Sequence, residues 1–532
     1  MHVFDSLTLA AYLILIVGLG TWFGRQQSRS EFFMAGRSMG WFVVGLSVMA
    51  TLFSSNSFVF YPSASFADSL RIGLALVAFA LMTPIVMYVF IPVYARLNVE
   101  TAYEYLERRF HVSVRLLASG LFILLRIGWM ASATYAASVV VAPMVGLHPT
   151  QVIVGLGAAA IGYTMLGGLR AVMWTDVIQF FVFAATIIAT LSLICSAEGT
   201  GLFELWDRYM VEHKQPLVNW EPSLSLKYGS WAILIGFFLE SLSAFGVDQV
   251  AVQRYLAADS ERTSQRGAIL NLLAMWIVIP GLLLIGVALY GWYSSHPAEL
   301  ATIAVPGSEV RLSDIETVET AIEKEPKIAD RALPGFVDTH FPPGLKGLFL
   351  AALMAAIMSS IDSGIHSVTT ALVVDFRDRL MPAWRPVSET RELFIIRILI
   401  VTVGSAAVGI ACLVDPQSSV FEVSRKLTAA FGAPLLAIFI LAFFSSRATW
   451  QAVMLSALIS TAATLYLMYT RKDWFSAWYW PLGFGLALIG GYAGSLLQKP
   501  TDSAYTFARI MKSQSESNPG SSSAATGMSS DQ

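Results

Sequence analysis

Within one apolar stretch, the run Ala355-Ala356-Ile357-Met358-Ser359-Ser360-Ile361-Asp362-Ser363 gathers small oxygen-bearing residues where a helix should face lipid or protein. Polar groups placed at such cost usually bind something. Ala356, Ser359 and Ser360 are spaced i, i+3, i+4 and therefore share one helical face. Such oxygens suit a hard cation, which takes several neutral or anionic oxygens at short range. The plainer reading is that a mid-helix Ser-Ser aids small-residue packing or bonds back to its own carbonyls. Asp362 and His366 also share a face and are expected to contact each other or approach a bound ion. They do not make a triad. With no metal-ligand cluster, nucleophile–base pair or phosphate loop in the sequence, an enzyme is not expected.

These residues must be positioned by a membrane-embedded scaffold. A chain of 532 residues that is 56% hydrophobic and 13% charged is an all-α polytopic membrane protein. About thirteen stretches reach the roughly 20 residues a spanning helix needs: 6–24, 41–66, 72–96, 114–145, 150–167, 173–195, 229–247, 268–293, 346–374, 393–413, 427–444, 449–469 and 477–497. The first has no basic residue before it and no small-residue cleavage site after it, so it reads as an uncleaved helix. Arg25, Arg29 and Arg37 place the first loop inside. Alternating crossings then put Arg108, Arg109, Arg254, Arg262, Arg266, Arg377, Arg379, Arg385 and Arg447 on the same side, with the N-terminus outside and the C-terminus in the cytoplasm. The long loops 196–228 and 294–343 fall outside. Cys195 and Cys412 are each expected at an outer helix end, with pairing left open. The Ser/Gly-rich end beyond about 515 is expected to be disordered. A net charge of −2 identifies no partner.

The second stretch holds the polar run Ser54-Ser55-Asn56-Ser57 followed by Pro62, and the seventh holds Glu240, Ser241 and Ser243. They lie five helices apart. An odd number of crossings inverts direction, so helices 2–6 (41–195) and 7–11 (229–444) are expected to form inverted five-helix repeats with broken helices 2 and 7. The extra helix and basic loop fill 1–40, two more helices fill 449–497, and 498–532 is the tail. Interrupted helices at matching positions mark the midplane site of a secondary transporter.

The run Gly167-Gly168-Leu169-Arg170-Ala171-Val172-Met173-Trp174-Thr175-Asp176-Val177-Ile178-Gln179 resembles the signature of the sodium/solute symporter family, carriers of glucose, proline, iodide, multivitamins and monocarboxylates. Glu31 to Ser38, Asp248-Gln249 with Val252 to Leu256, and the Ser359-Ser360 pair agree with it, over roughly residues 1–500. The resemblance implies a sodium ion held by the carbonyls of Ala50 and Phe53, the carbonyl of Ala356, and the hydroxyls of Ser359 and Ser360. It also places Asp176, expected to begin the sixth helix, near the sodium exit path, where some members hold a second sodium. A helix N-terminal carboxylate favoured by the dipole is the competing reading.

Substrate-facing candidates are Asn56 and Ser57 in helix 2, Ser241 and Phe245 in helix 7, and Arg126 in helix 4, which is expected to face an anion. Sugar carriers of the family place Glu or His, then Gln or Phe, at the helix-2 positions, and Asn or Trp in helix 7. Unpaired hydroxyls of a buried sugar would cost about 1–3 kcal/mol each. The patterns around Tyr61-Pro62-Ser63 and Leu242 to Gln249 are closer to the iodide, multivitamin and monocarboxylate branch. The expected function is sodium-coupled import of a small organic anion such as a monocarboxylate. Sugar, amino-acid or nucleoside symport and a sodium or solute sensor are the alternatives. An anion loses the electrical gain of about 2.3 kcal/mol per charge at 100 mV, which favours two sodium ions per cycle, with Asp176 assisting the second. The expected partners are a small-molecule substrate, sodium ions and the lipid bilayer of the plasma membrane, with no nucleic acid and the oligomeric state open.

Overall fold

A chain in hydrocarbon must satisfy its backbone hydrogen bonds internally, and the apolar stretches do so as helices. The structure, a computed structural model, describes residues 2–24, 26, 28–53, 55–212, 216–303, 317–414, 420–499 and 504–517. Arg25 and the tail beyond 517, including Asn518 to Ser523, lie outside the described residues. The membrane-type helices are α1 (Val3–Trp22), α2 (Trp41–Leu52), α3 (Ser55–Ala67), α4 (Leu70–Leu97), α5 (Val112–Val145), α6 (Pro149–Glu198) and α7 (Ser230–Gly246). They continue as α8 (Gln249–Ala257), α9 (Glu261–Ser295), α10 (Leu345–Leu380), α11 (Glu389–Cys412), α12 (Val420–Phe444), α13 (Trp450–Thr470) and α14 (Tyr479–Leu496). Among the described residues no strand forms, and Met39 and Ala258 make one isolated bridge.

Nine of the described helices are long and apolar enough to cross a membrane, and eleven spans result if each of two bent pairs is one span. The expected thirteen go beyond this: they count α6 as two helices and α14 as one more. Physical grounds for dividing α6 exist at Gly168, whose φ of 57° and ψ of −165° interrupt the helix. A Cβ there would sit 3.1 Å from the Phe32 carbonyl, so glycine meets both the conformation and the close approach.

The first bend, 62°, falls between α2 and α3, at the polar run where helix 2 is expected to break, and Pro62 lies inside α3. The second, 46°, falls between α7 and α8, after the polar residues Glu240, Ser241 and Ser243, which remain helical. Around the breaks, α10 packs on α6, α5 and α1, while α9 packs on α2 and α3. At Gly286 of α9 a Cβ would strike the Pro62 carbonyl and the Ser65 hydroxyl, which lets α3 lie directly on α9. Helix α10 is the most enclosed, with 89% of its apolar window buried against 22% for α1. Its hydroxyls therefore face protein, as a binding role requires.

The long loops hold short helices, Leu202–Glu212 and Ile328–His340 among them, and the latter packs on α3. Several loop arginines read as topology markers turn out to be structural. Arg109 is buried and donates to the carbonyls of Ala442 (3.2 Å) and Ser445 (2.6 Å), and Arg254 is fully buried in α8. Arg29 pairs with Glu100 at 2.6 Å. Within α5, Arg115 pairs with Asp375 at 2.7 Å. Cys195 and Cys412 are both free thiols.

Candidate ion and substrate site

The helical ladder stops at Phe53, which adopts extended φ −95°, ψ 106°. Carbonyls in the last turn of a helix have no intrahelical successor, and that of Ala50 in α2 meets α10. There the Ser359 hydroxyl donates to the Ala50 carbonyl at 2.9 Å and reaches the Ala356 carbonyl at 3.5 Å. Ser360 Oγ is buried with no hydrogen-bond partner among the described residues. Leaving such a group unmade costs about 1–3 kcal/mol, which a cation using its lone pair would relieve. The structure thus brings Ala50, Ala356 and Ser359 together, with Ser360 next in α10 and Phe53 at the break, its ring stacked on Tyr61 at 6.1 Å. Neutral hydroxyls and carbonyls suit a hard monovalent cation, and among the described residues no group of three or more His, Cys, Asp or Glu is arranged for a metal.

Asp176 departs from its expected setting. The helix resumes at Leu169, so Asp176 lies two turns inside it, beyond the first turn where a helix dipole acts. It is fully buried. Its Oδ2 accepts from Ser47 Oγ (2.6 Å), Thr51 Oγ1 (3.1 Å) and Arg254 Nη2 (3.1 Å), whereas Oδ1 has no partner among the described residues. Arg254 also donates to Ser47 Oγ (2.8 Å), the Val250 carbonyl (2.8 Å) and Ser363 Oγ. Four segments, α2, α6, α8 and α10, meet in this cluster. Sequence reasoning missed Arg254, Ser47, Thr51 and Ser363. One cation in the otherwise uncharged run Gln249 to Ala257 was the available signal.

The expected contact between Asp362 and His366 does not form. Asp362 accepts from Tyr163 and Ser363, while His366 bonds the Phe32 carbonyl at 3.0 Å and stacks on the Phe32 ring. Tyr163 of α6 and the adjoining Ser363 take Asp362, and Phe32 takes His366, so the four-residue spacing decides neither.

A cavity of about 140 Å³ opens at the two breaks, lined by Phe53, Ser57, Ser241, Phe245 and Arg126 among others. Four of the five substrate candidates therefore converge; the side chain of Asn56 lies outside the described residues. The Ser241 hydroxyl donates back to the Phe237 carbonyl at 2.6 Å, leaving its lone pairs for the cavity. Arg126, expected to face an anion, pairs with a carboxylate of the chain itself. Its Nε and Nη2 hold Asp248 at 3.0 and 2.7 Å, and Asp248 Oδ1 caps α8 by accepting from the Val250 amide at 2.9 Å. Both oxygens of Asp248 are thus committed, and Nη1 of Arg126 makes no hydrogen bond among the described residues. Sequence reasoning also missed the pairing of Glu240 with Arg425 of α12 across this cavity, at 2.9 Å.

The chain is 29% identical to the sodium/sialic acid symporter NanT of Aliivibrio fischeri, over 92% of each chain. It is 28% identical to the sodium/sialic acid symporter SiaT of Proteus mirabilis, over 87% of this chain and 88% of that one. Against the mouse sodium-coupled monocarboxylate transporter 1 the figure is 26%, over 82% and 68%. A solved sodium-coupled sialic acid symporter, substrate-bound and outward-open with a novel sodium site, superposes with a TM-score of 0.82 at 27% identity, covering 94% of this chain and 99% of that one. A nucleobase-cation-symport-1 family transporter in a closed conformation shares the fold alone, at a TM-score of 0.54, 13% identity, and coverage of 88% and 94%. With the sodium:solute symporter family model matching residues 32–460, the chain belongs to that family and is an integral membrane carrier rather than an enzyme.

Proposed function

We propose that this carrier imports an organic acid together with sodium, by alternating access around the two helix breaks. The carrying observation is Arg126: Asp248 holds the guanidinium in place, and Nη1 is left over in the cavity. A fixed guanidinium edge suits a carboxylate. The relatives fit an acid of either of two kinds, because sialic acid is an acidic sugar and the monocarboxylate transporter is named for its acids. The argument against neutral sugars leaves acidic sugars open. Ser57, Ser241 and Phe245 line the same space and would contact the remainder of the solute.

Sodium would be held by the carbonyls of Ala50, Phe53 and Ala356 with Ser359 and Ser360, and its movement down its gradient would drive uptake. The unused oxygen of Asp176 supports a second sodium there, which the electrical loss from carrying an anion favours. The repeats 41–195 and 229–444 would rock about the site, with the N-terminus outside and the C-terminus in the cytoplasm. Uptake of labelled N-acetylneuraminate, pyruvate, glucose and proline into proteoliposomes, with an inward sodium gradient and a potassium control, tests the reading. Sodium-dependent accumulation of an acid is expected; accumulation of neutral solutes only would overturn it. Reversal potentials indicating an electroneutral one-to-one cycle would remove the second sodium.

A further inference from the structure

The cavity has one wall that the reading above leaves unused. Of the described residues lining it, all but Trp480 fall between Leu52 and Thr428; Trp480 comes from the first turn of α14, which packs on α12 and α13. Its indole is admitted by Gly432 of α12, where a Cβ would lie 2.6 Å from the indole Cη2. The same point is 3.3 Å from Leu125 Cδ1, so the indole reaches α5 as well. Trp480 is 2% exposed, and its Nε1 has no hydrogen-bond partner among the described residues. Trp129 Nε1, buried in the same cavity, has none either. Leu125 and Trp129 are four residues apart on α5 and share a face, which puts the two indoles on one side of the space. A buried indole N–H usually finds a partner, and here two in one cavity do not.

We propose that Trp480 is a specificity-determining residue of the substrate site, donating its indole N–H to a neutral carbonyl oxygen that the solute carries apart from its carboxylate, with Trp129 as a second donor. This rests on the reading of the cavity as the site of an organic acid. An indole nitrogen is a donor only. A ketone or amide carbonyl accepts from two donors at once and has no hydrogen of its own on that oxygen to place. A hydroxyl would bring a hydrogen with it, and an ammonium would bring no lone pair. Three residues separate Arg126 from Trp129, about 4.5 Å along α5, so the carbonyl belongs a few bonds beyond the carboxylate. The favoured solutes are therefore oxo acids and acylamino acids, and their alkyl analogues are disfavoured. A site with buried hydrogen-bonding groups to satisfy rejects a ligand that leaves them unmet. Because α14 lies outside the stretches 41–195 and 229–444, this preference is set from beyond the segments expected to hold the site.

Calorimetric titration of the purified full-length protein in sodium buffer tests this with three probes: 4-oxopentanoate, pentanoate, which lacks only the carbonyl, and N-acetylneuraminate. The unaltered protein should bind 4-oxopentanoate about tenfold more tightly than pentanoate. Trp480→Phe keeps an aromatic ring beside Gly432 and removes the N–H. It should lose about tenfold for 4-oxopentanoate and for N-acetylneuraminate and nothing for pentanoate, while its unfolding midpoint without ligand holds steady. Where N-acetylneuraminate alone binds, its loss in this variant decides. Equal losses for all three probes, or no loss for any, would overturn the assignment and leave Trp480 a packing residue. Arg126→Gln/Asp248→Asn separates the two claims: it should abolish binding of all three. If it spares them while Trp480→Phe still costs 4-oxopentanoate its advantage, the carboxylate assignment fails and the Trp480 contact stands. An unaltered protein that binds none of the three removes both.

Discussion

The two broken helices make the same geometric move with opposite chemistry. Where the α2/α3 break meets α10 the groups are neutral oxygens, the Ala50 carbonyl and the Ser359 hydroxyl, and α10 carries beside them the buried Ser360 hydroxyl with no partner among the described residues. At the α7/α8 break, a carboxylate caps the new helix while gripping an arginine. A neutral shell leaves a cation weakly enough held to depart each cycle. A fixed ion pair keeps its own charges in place, and only its outer edge is offered to a ligand. Coupling then follows from adjacency, because Phe53 belongs to the first break and also lines the cavity at the second.

The comparison is broken most readily at the charged end. Arg126→Gln leaves Asp248 buried without its cation, a loss of about 3–5 kcal/mol for a broken buried pair. A lowered unfolding midpoint and abolished acid uptake are expected together. Adding Asp248→Asn should recover most of the stability and none of the uptake, which thermal unfolding alongside proteoliposome flux would reveal. Recovered uptake in the double variant would mean that Arg126 serves folding alone.

Next in size is the cluster beside the neutral break. Asp176→Asn removes the charge that Arg254 meets at 3.1 Å, but Ser47, Ser363 and the Val250 carbonyl still receive its guanidinium. The stability loss should therefore be smaller than for Arg126→Gln, about 2 kcal/mol. Steepness of uptake against sodium concentration should fall toward a single-ion dependence. Undiminished steepness would leave Asp176 as the anchor of Arg254 and nothing more.

These residues also show where sequence reading stops. Ser359 and Ser360 were legible because two hydroxyls in an apolar run and their helical spacing are local facts. The first break was legible in its polar run, while Pro62 stays helical inside α3, where α9 lies against it at Gly286. The site of the second break was not, because Glu240, Ser241 and Ser243 remain helical and the bend follows Gly246. Arg254 looked like a loop arginine because its three side-chain partners come from α2, α6 and α10, and no local pattern announces them. Arg425 was overlooked for the same reason: its partner Glu240 is 185 residues distant.

The smallest expected effects sharpen the comparison most, since they separate two adjacent serines. Ser359→Ala removes a hydrogen bond to the Ala50 carbonyl and should cost about 1 kcal/mol of stability. Ser360→Ala removes a hydroxyl that satisfies nothing among the described residues, so the unfolding midpoint measured without sodium should hold steady or rise. Both variants should nevertheless raise the half-saturating sodium concentration for uptake by about tenfold, the equivalent of one lost ligand interaction. Adding sodium should stabilise the unaltered protein more than either variant, because a ligand stabilises only in proportion to its binding of the folded state. If Ser360→Ala instead kept its sodium dependence, the unpartnered hydroxyl would be a packing feature of α10, and the neutral break would lose its claim to the ion.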